Sequence, residues 1–564
     1  MKTKIIEKSI CLFFCIYFIG GFVLSSHEFN NKSKRITDID DTIKISPWGV
    51  NAHLTFESSF PYAKELCASM HNAGVGIMRL DVYWWYNNMF MQLDKCDEVL
   101  YWADYYGIDV LLNFPQMPNR TDSTFLKQYV GMLTTYAERY SGKTEISVGS
   151  GLIARKPIVK YIEVLNEIGL NYKRQGLSVS DVFTLLKTSS IALKNCRSDS
   201  LCLIFPDISP WAPFMDDLLS YQDENKRNIA SYYDAFNYHA YTTKTADFCY
   251  MLSGWKKQMR KYGFEDKDLW ITECGMSLWE ISKKEQALTL EKQYMIALSE
   301  GVSRIFYYQF HGFGGNYFDD RNQKEDYFGM IGNSLSNSYA SFLVDTGTKM
   351  LPLSDGDALE KLVIPSKHPN LLKIRSLTKG MVDRLTSFDL LIGGSGYNLD
   401  AIKIKKKDGS IRPIWEVPVP IPIEGQGYRI SKEIFNSIDV EDEIWVMISG
   451  VKDYSNNWVG TEEYPSYKSF SHLSHILNTE CTRPIIESNG ASTIARWFNI
   501  KENKYYYAIW NEKDVVSQYR VIGKDIYAKN VEDKREKRCD KITVGRPPIY
   551  ISSEELITIK RLNK

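Results

Sequence analysis

The stretch Tyr161-Ile-Glu-Val-Leu-Asn-Glu167 is a short, largely apolar run that ends in two polar residues. Such a run predicts a buried parallel strand with Asn-Glu at its carboxyl end. A second stretch, Leu269-Trp-Ile-Thr-Glu273, also ends in a glutamate. A carboxylate directly after a buried strand is costly to bury unless it is hydrogen-bonded or paired. The two stretches therefore indicate a parallel sheet with acidic groups at the carboxyl ends of its strands.

The surrounding sequence repeats this strand pattern between about Ile45 and Leu351. Short β-branched or aromatic runs alternate with longer amphipathic segments, which is typical of parallel strands joined by helices. The strand-like runs are Trp48 to Leu54, Val75 to Leu80, Ile108 to Phe114, Tyr161 to Leu165, Leu201 to Phe205, Ala235 to Tyr241, Leu269 to Thr272 and Arg304 to Phe310. Eight units in about 300 residues predict an α/β fold, a (β/α)8 TIM barrel. A doubly wound open sheet is the main alternative, but no glycine-rich phosphate loop follows any run.

At 564 residues the chain exceeds what one hydrophobic core usually supports, so two or three domains are expected. The predicted segments are a signal peptide at 1–26, a linker at 27–44, the barrel at 45–351, and a β-rich region with a β-sandwich, in one or two modules, at 352–564. Two segments, Ser336 to Met350 and Tyr467 to Leu477, resemble the final helix of a barrel. If the later one closes the barrel, residues 313–460 form an insertion before it.

The first 26 residues are basic, then apolar, then small, which is the order of a secretory signal. The residues concerned are Lys2, Lys4 and Lys8, the run from Ile10 to Leu24, and Ser25 and Ser26. This order predicts a secreted or periplasmic protein with no stable membrane association after removal of the signal. The alternative is an anchor formed by an uncleaved N-terminal helix, since the run is long for a signal and Lys32, Lys34 and Arg35 follow it.

Composition excludes some partners. Lys+Arg and Asp+Glu are equal at 69 each, and the pI is near 7.1, so no excess of positive charge is available for nucleic acid. The cysteines are scattered, unlike those of a small disulfide scaffold, although Cys196 and Cys202 could bridge a short loop. No CxxC pair or His/Cys cluster indicates a metal. We therefore expect neither a metal nor a cofactor.

Several predicted strands end in polar side chains, and barrel enzymes place their catalytic groups at this end. The residues are Arg79 on strand two, Asn166 and Glu167 on strand four, His239 and Tyr241 on strand six, Glu273 on strand seven, and Gln309 and His311 on strand eight. Strands four and seven are nearly opposite in such a barrel, so Glu167 and Glu273 should face each other. Cleavage of a glycosidic bond needs such a pair, because one acid protonates the leaving oxygen and a second carboxylate attacks or activates water. A separation of roughly 5 to 5.5 Å would indicate a retaining, double-displacement mechanism.

In these stretches the sequence resembles glycoside hydrolase clan A, and families 5 and 39 most closely. The motifs that carry the resemblance are Tyr161-Ile-Glu-Val-Leu-Asn-Glu167, Leu269-Trp-Ile-Thr-Glu-Cys-Gly275, Gly76-Ile-Met-Arg79 and Tyr238-His-Ala-Tyr241. Family 39 also ends in a β-sandwich, similar to Ile542-Thr-Val-Gly-Arg-Pro-Pro-Ile-Tyr550 here. The resemblance implies an exported enzyme of bacterial type that hydrolyses a β-linked oligo- or polysaccharide.

The resemblance also implies roles for individual residues. Glu167 would be the general acid/base and Glu273 the nucleophile. Asn166 would bind the sugar 2-hydroxyl, while Arg79 and Tyr241 would keep Glu273 ionised. Glu167 would need a raised pKa in order to be protonated when the bond breaks. The further substrate-binding residues are predicted to be His239, Gln309, Trp84 and Trp85.

Two departures from the family pattern leave the substrate open. Strand three ends in Asn113-Phe-Pro-Gln-Met-Pro118 where many relatives have a histidine, and strand eight offers Tyr308-Gln309 where many have a tryptophan. Trp84 and Trp85 could stack on sugar rings or pack beneath their own loop. The alternative function is a barrel without turnover that binds carbohydrate or acts as a scaffold, but such a protein has no use for two opposed acids.

Overall fold

The computed structural model describes most of the chain from residue 42 onward. The described residues are 42–55, 62–83, 89–116, 123–149, 152–171, 175–197, 201–207, 214–278, 281–312, 328–333, 342–345, 350–352, 359–362, 370–375, 377–393, 398–413, 421–423, 427–449, 461–489, 491–531, 533 and 535–562. The predicted signal peptide, Trp84 and Trp85 lie outside these residues. Residues from Asp40 to Lys564 form one compact unit.

Eight parallel strands close into a barrel in sequence order, and the first strand pairs with the last. The strands are β1 Trp48–Asn51, β2 Ile77–Asp81, β3 Asp109–Phe114, β4 Tyr161–Val164, β5 Cys202–Ile204, β6 Ala235–Ala240, β7 Asp268–Cys274 and β8 Val302–Tyr307. The α-helices between β1 and β8 are α1 Ala63–Asn72, α2 Met89–Tyr105, α3 Ser123–Arg139, α4 Ile168–Asn171, α5 Val179–Cys196, α6 Phe214–Ser220, α7 Thr245–Tyr262 and α8 Lys283–Ser299. The predicted (β/α)8 barrel is confirmed.

The two-residue period of a strand explains how the barrel interior changes along its axis. Near the amino ends of the strands, buried apolar side chains form a cluster that is separate from the main core. Its members are Ile77, Leu111, Ile204, Ala235, Trp270 and Phe306. Two residues further along four of these strands, the same face carries polar side chains, namely Arg79, Asn113, Asn237 and Thr272. The interior therefore has an apolar floor below a polar layer at the carboxyl ends.

Local sequence fixes the ends of the surrounding helices. Helix α5 begins with a capping box, in which Ser178 and Asp181 each accept a hydrogen bond from the other's backbone N–H. Helix α7 ends at Gly263, whose φ of 79° is in the left-handed region that favours glycine. The first cap sets where α5 begins, and the second sets where α7 stops before β7.

The helix that follows β8 in the barrel comes late in the chain. After β9, Ile331–Asn333, the chain returns as β20, Thr461–Glu463, which pairs antiparallel with β9 and leads into α10, Pro465–Ile476. Helix α10 packs along α8, and Phe470 contacts both Trp48 and Tyr294. Trp48 Nε1 donates to the Leu477 carbonyl over 2.7 Å, at the end of α10. We infer from this packing that residues between β9 and β20 form an insertion.

The other segment considered for this helix, Ser336 to Met350, does not form one in its described part. Residues Phe342–Asp345 are strand β10, and β11 begins at Met350. In β10, Leu343 and Val344 pair with both β11 and a later strand, so the extended conformation is set by neighbours distant in sequence. The helical expectation for this segment was wrong, because its apolar period is compatible with either structure.

The insertion contains two five-stranded sheets around a common core. Its strands and its α-helix are β10 Phe342–Asp345, β11 Met350–Pro352, β12 Leu359–Leu362, β13 Asn370–Ile374, α9 Lys379–Ser387, β14 Asp389–Gly393, β15 Asn398–Lys405, β16 Ile411–Pro413, β17 Ile421–Ile423, β18 Gly427–Ile430 and β19 Glu443–Ser449. Side chains such as Leu390 and Ile430 from one sheet and Ile404 and Ile444 from the other belong to this core.

The C-terminal region has a six-stranded and a three-stranded antiparallel sheet with their own core. Its strands are β21 Ile485–Asn489, β22 Ser492–Asn499, β23 Lys504–Asn511, β24 Ser517–Ile522, β25 Tyr527–Lys529, β26 Lys537–Arg538, β27 Lys541–Val544, β28 Ile549–Ser553 and β29 Thr558–Arg561. This arrangement agrees with the expected β-sandwich region.

The structure also bears on the predicted disulfide and on membrane-spanning helices. Cys196 and Cys202 are both free in the structure, so the short disulfide considered for them is not formed. Over the described ranges, no helix has the length and apolar character needed to cross a membrane.

Candidate active site

Arg79 is the centre of the polar layer at the carboxyl ends of the strands. Its guanidinium is almost fully buried and donates hydrogen bonds to four side chains. Nη1 lies 2.8 Å from Glu273 Oε1 and 3.0 Å from Asn51 Oδ1, Nη2 lies 2.7 Å from Asn166 Oδ1, and Nε lies 2.7 Å from Glu163 Oε2. Because the guanidinium is planar and rigid, these contacts fix the relative positions of three strand ends.

Glu163 lies below the barrel mouth and is completely buried. Besides Arg79, Asn237 Nδ2 donates to its Oε1 over 2.9 Å, and Thr272 Oγ1 donates over 3.4 Å. Burial raises the pKa of the Glu163 carboxyl, and the charge of Arg79 acts against this shift. A buried ion pair of this kind is sustained by its additional hydrogen bonds.

The backbone around Glu167 is held in an unusual conformation. Leu165 has a φ of 72° and Glu167 a φ of 45°, both in the left-handed region that residues other than glycine seldom adopt. Such conformations cost of order 1–3 kcal/mol each and persist where the surrounding structure imposes them, often at functional sites. Here they direct Asn166 towards Arg79 and Glu167 towards the mouth, where about a third of the Glu167 side chain is exposed.

Glu167 and Glu273 approach each other across His239. The Nδ1 atom of His239 lies 3.2 Å from Glu167 Oε1 and 3.4 Å from Glu273 Oε2. One atom from each of the three side chains lies within 4.8 Å of the others. Tyr241 also donates a hydrogen bond to Glu273 Oε2. The two carboxylates that the sequence assigned to opposite strands are therefore neighbours at the barrel mouth.

The charge of His239 decides the electrostatics of this pair. Burial by itself would lower the pKa of His239, but Glu273, Asp207 and Glu167 raise it to about 9. Burial would raise the pKa of Glu167, yet the hydrogen bond and charge of His239 leave it below its ordinary value. This direction is opposite to the one expected for Glu167 from its proposed role as an acid, because a protonated imidazole stands beside it.

A further acidic residue, Asp81, lies beside Arg79. Its Oδ1 accepts from Asn113 Nδ2 over 2.8 Å and lies 3.5 Å from Arg79 Nη1, and its Oδ2 lies 3.2 Å from His53 Nδ1. Burial would raise the pKa of Asp81, but Arg79 and His53 lower it to about 2. Asn113, which stands where many relatives have a histidine, thus contributes to the support of Arg79.

Asp207 follows β5 and is also buried. Its Oδ1 accepts the backbone N–H of His239 over 3.0 Å, which fixes the end of β6. Burial raises the pKa of Asp207 to about 7, against the opposing charge of His239. Asp207 is a strand-end residue like the others, so the position rule that selected Glu167 and Glu273 could have found it.

Aromatic rings line one side of the pair. Tyr241, Tyr308 and Phe328 contact one another edge-on, with ring centroids 5.4 to 5.9 Å apart. Gln309, predicted to bind substrate, is buried at the end of β8, and its carbonyl accepts the Met330 N–H over 3.1 Å. The peptide bond between Tyr308 and Gln309 is cis. Trp84 and Trp85, also predicted to bind substrate, lie outside the described residues.

Gly275 explains why β7 can carry Glu273 so close to β8. A Cβ atom at this position would lie 2.0 Å from the Tyr308 carbonyl oxygen, which is backbone and cannot move aside cheaply. Cys274, between the two, is buried and its thiol donates to the Phe306 carbonyl. The thiol therefore faces the barrel wall, away from the carboxylate pair.

Glu167, His239 and Glu273 are also the described residues that come nearest to a metal-binding group. A metal needs an unprotonated imidazole nitrogen. With a pKa of about 9, His239 is protonated at both nitrogens near neutral pH. The group therefore fits a hydrogen-bonded carboxylate pair better than a cation site, and we assign no metal to it.

No model of a protein family matches the chain, and no curated protein is similar to it in sequence. Solved structures are similar to it over most of its length. A family 39 glycoside hydrolase from the gut symbiont Bacteroides cellulosilyticus WH2 has a TM-score of 0.50 and 12% identity, over 91% of this chain and 81% of that one. In fold, the chain is similar to clan A glycoside hydrolases.

Two structures with lower TM-scores also cover most of the chain. A family 30 endoxylanase from Clostridium papyrosolvens C71 has a TM-score of 0.45 and 10% identity, over 91% of this chain and 97% of that one. A glucosidase from Croceicoccus marinus has a TM-score of 0.43 and 12% identity, over 92% and 97%. At such identities the likeness concerns the fold alone.

Proposed function

We propose that this protein is a retaining glycoside hydrolase that cleaves β-glycosidic bonds of an oligo- or polysaccharide. Glu167 is the general acid/base and Glu273 is the nucleophile. The observation that carries the proposal is the approach of the two carboxylates, each within hydrogen-bonding reach of His239 Nδ1 or close to it, at the mouth of a barrel. One carboxylate oxygen of Glu167 lies within 4.8 Å of one of Glu273. This short separation favours direct attack by the carboxylate, since an inverting pair needs room for a water molecule.

The nucleophile is oriented by two donors. Arg79 supplies positive charge to Glu273 Oε1 and Tyr241 donates to Oε2. The two contacts leave one orientation of the carboxylate for attack on the anomeric carbon. Attack forms a glycosyl ester on Glu273 and breaks the bond to the leaving oxygen, which takes a proton from Glu167. Water then displaces the ester, with Glu167 receiving its proton.

Asn166 is suited to bind the sugar hydroxyl next to the reacting carbon. Its Oδ1 accepts from Arg79 Nη2, so its amide orientation is determined and Nδ2 is the group directed to substrate. A contact to the 2-hydroxyl strengthens as the ring gains oxocarbenium character, so it contributes more to the transition state than to the bound substrate.

The test is hydrolysis by the purified protein, screened on aryl β-glycosides and β-linked polysaccharides. On the substrate that it cleaves best, Glu273→Ala is expected to lose several orders of magnitude in kcat, because the covalent path is removed. Glu554→Gln, an exposed residue of the C-terminal region, is the matched control and should keep parental activity. Parental hydrolysis by Glu273→Ala would contradict the proposal.

We also propose that the protein is exported and loses its first 26 residues or so. The basic, apolar and small order of that segment supports this proposal. N-terminal sequencing of the mature protein should begin near Ser26 to Asn30, whereas an intact Met1 in a membrane fraction would favour the anchored alternative.

A further inference from the structure

His239 has hydrogen-bonding groups on both sides of its ring. Nδ1 faces the carboxylates of Glu167 and Glu273, at 3.2 and 3.4 Å. Nε2 lies 3.3 Å from Thr272 Oγ1, and the same hydroxyl lies 3.4 Å from Glu163 Oε1. A series of contacts therefore runs from the pair at the barrel mouth to the buried acid beneath it.

The direction of these hydrogen bonds follows from the acceptors. Glu163 is paired with Arg79, and an ionised carboxylate only accepts, so the Thr272 hydroxyl donates to it. The oxygen of Thr272 then has lone pairs that can accept a hydrogen bond from Nε2. Nδ1 faces carboxylate oxygens, which also accept. In this arrangement both ring nitrogens donate, which is the pattern of the cationic imidazole.

The surroundings of His239 favour this charge from every neighbouring strand. Its side chain is 4% exposed, so solvent does little to screen the groups around it. The charged groups that face it are Glu163 and Glu167 of the β4 segment, Asp207 after β5, Glu273 of β7 and, through Glu163 and Glu273, Arg79 of β2. On its own strand, Tyr241 contacts the ring edge-on.

We propose that His239 is a positioning residue that stores, at Nδ1, the proton that Glu167 gives to the leaving oxygen. This inference rests on the proposed function, and it assigns to His239 a role beyond the substrate contact predicted from the sequence. In the resting protein the proton is on the imidazole and Glu167 is a carboxylate, whereas a simple general acid would hold the proton itself.

The proposed steps conserve protons and charge. During glycosylation, a bond forms between Glu273 and the anomeric carbon and the glycosidic bond breaks. The leaving oxygen gains one proton from the Glu167 carboxyl, which receives one at Oε1 from Nδ1. His239 ends neutral and Glu167 ends as a carboxylate. In hydrolysis, water attacks the anomeric carbon, the ester to Glu273 breaks, and one water proton passes through Glu167 back to Nδ1.

The loss of charge on Glu273 supplies a driving force for the transfer. The Glu273 carboxylate is the strongest of the groups that raise the pKa of His239. Once Glu273 becomes an ester, this stabilisation is lost and the proton on Nδ1 becomes more acidic. Hydrolysis regenerates the carboxylate and restores the affinity of Nδ1 for the proton. Glycosylation therefore starts from charged His239, and hydrolysis of the ester starts from neutral His239.

A pH profile distinguishes a stored proton from a purely structural histidine. A phenyl β-glycoside has a leaving group that needs protonation. With this substrate, kcat/KM should fall on the basic side of its pH profile (the basic limb) near pH 9, where His239 titrates. In His239→Gln, Glu167 must hold the proton itself, so the limb should move to lower pH by about 2 units, towards the range of a general-acid carboxyl. The leaving group of a 2,4-dinitrophenyl glycoside needs no proton. With this substrate, kcat/KM should differ much less between His239→Gln and the parent.

His472→Gln is the matched control, because His472 is a partly buried histidine on α10 that contacts Tyr550 instead of the carboxylate pair. It should leave the parental basic limb in place. Asp207→Asn keeps His239 but removes one of its negative neighbours, so its limb should move down by less than that of His239→Gln. An unchanged limb in the folded His239→Gln or Asp207→Asn variant would overturn the proposal.

A second measurement does not require activity. In protein labelled with 15N-histidine, the His239 signals, identified by their loss in His239→Gln or their shift in Asp207→Asn, should be those of a charged ring at about pH 8. A neutral ring at that pH would overturn the inference, even if Glu273→Ala behaves as proposed. A charged ring in a protein that hydrolyses no glycoside would support the electrostatic assignment while the proposed function fails.

Discussion

Arg79 and Glu163 form an ion pair, with Nε 2.7 Å from Oε2, at a depth where both side chains are almost completely buried. The pair lies directly beneath Glu273, because the same guanidinium also binds that carboxylate. We expect this ion pair to contribute to the stability of the folded protein. Removing one partner of a buried pair leaves an uncompensated charge, and this typically costs about 3–5 kcal/mol.

Glu163→Ala is therefore expected to lower the free energy of unfolding in urea by about 3–5 kcal/mol. The matched control is Glu480→Ala, which removes the partner of Lys501 in a pair whose side chains are 39% and 72% exposed. Exposed pairs contribute about 0–1 kcal/mol, so the control should change little. Equal losses in the two variants would contradict the role given to the Arg79 and Glu163 pair.

Glu291 gives a prediction about pH and stability. It is buried on α8 where α10 and β28 meet, and it accepts hydrogen bonds from Ser469 and from Tyr550, the latter at 2.6 Å. Burial raises the pKa of Glu291 from 4.5 to about 7. The folded protein thus binds this proton more tightly than the unfolded chain, so the stabilisation is present below about pH 4.5 and is lost as pH rises to about 7.

Glu291→Gln imitates the protonated acid and should not suffer this loss. The free energy of unfolding of Glu291→Gln relative to the parent should increase by about 3 kcal/mol between about pH 4.5 and 7.5. Urea unfolding at both pH values measures the difference, and the exposed Glu554→Gln serves as control. A difference that does not vary with pH would show that Glu291 is ionised at little cost in the folded protein.

The late position of α10 leads to a prediction about chain architecture. Asn333 of β9 and Thr461 of β20 are directly paired antiparallel residues, so their backbones are neighbours. Replacing residues 334–460 by a two-residue Asn-Gly turn would make β9 and β20 a hairpin, and the barrel should still fold. A chain that ends at residue 351 lacks α10 and should leave the apolar surface around Trp48 and Tyr294 uncovered.

Circular dichroism and cooperative thermal unfolding of the two shortened chains test this account. The hairpin version should unfold cooperatively, while the chain ending at 351 should be insoluble or lack a cooperative transition. A cooperatively folded chain that ends at residue 351 would show that α10 is not needed to close the barrel.

The sequence was informative about strands and their ends because both depend on local patterns. The alternation of runs predicted the barrel, and polar residues at the ends of apolar runs indicated Arg79, Asn166, Glu167 and Glu273. Glu163 was missed since it lies inside such a run, between Ile162 and Val164, where a single polar residue is easily attributed to an exposed face. Only closure of the barrel brings that position next to Arg79.

Two further features depend on contacts between distant residues. The choice of closing helix could not be made from local periodicity, because α10 is separated from β8 by the insertion and finds its place by packing on α1 and α8. The lowered pKa of Glu167 was likewise not predictable, since it requires Nδ1 of His239 to point at Glu167. Sequence position placed His239 at the mouth without giving the direction of its ring.

The roles of Glu167 and Glu273 are tested most directly by the anomeric configuration of the products formed with azide. With a 2,4-dinitrophenyl β-glycoside that the parent hydrolyses, Glu167→Ala should still form the covalent ester but lack a base for hydrolysis. Azide needs no base, so it should restore turnover and give the β-glycosyl azide. In Glu273→Ala, azide should attack from the opposite face and give the α-azide. NMR of both products should show this pair of outcomes; exchanged configurations would reverse the two roles, and rescue of neither variant would contradict the catalytic account.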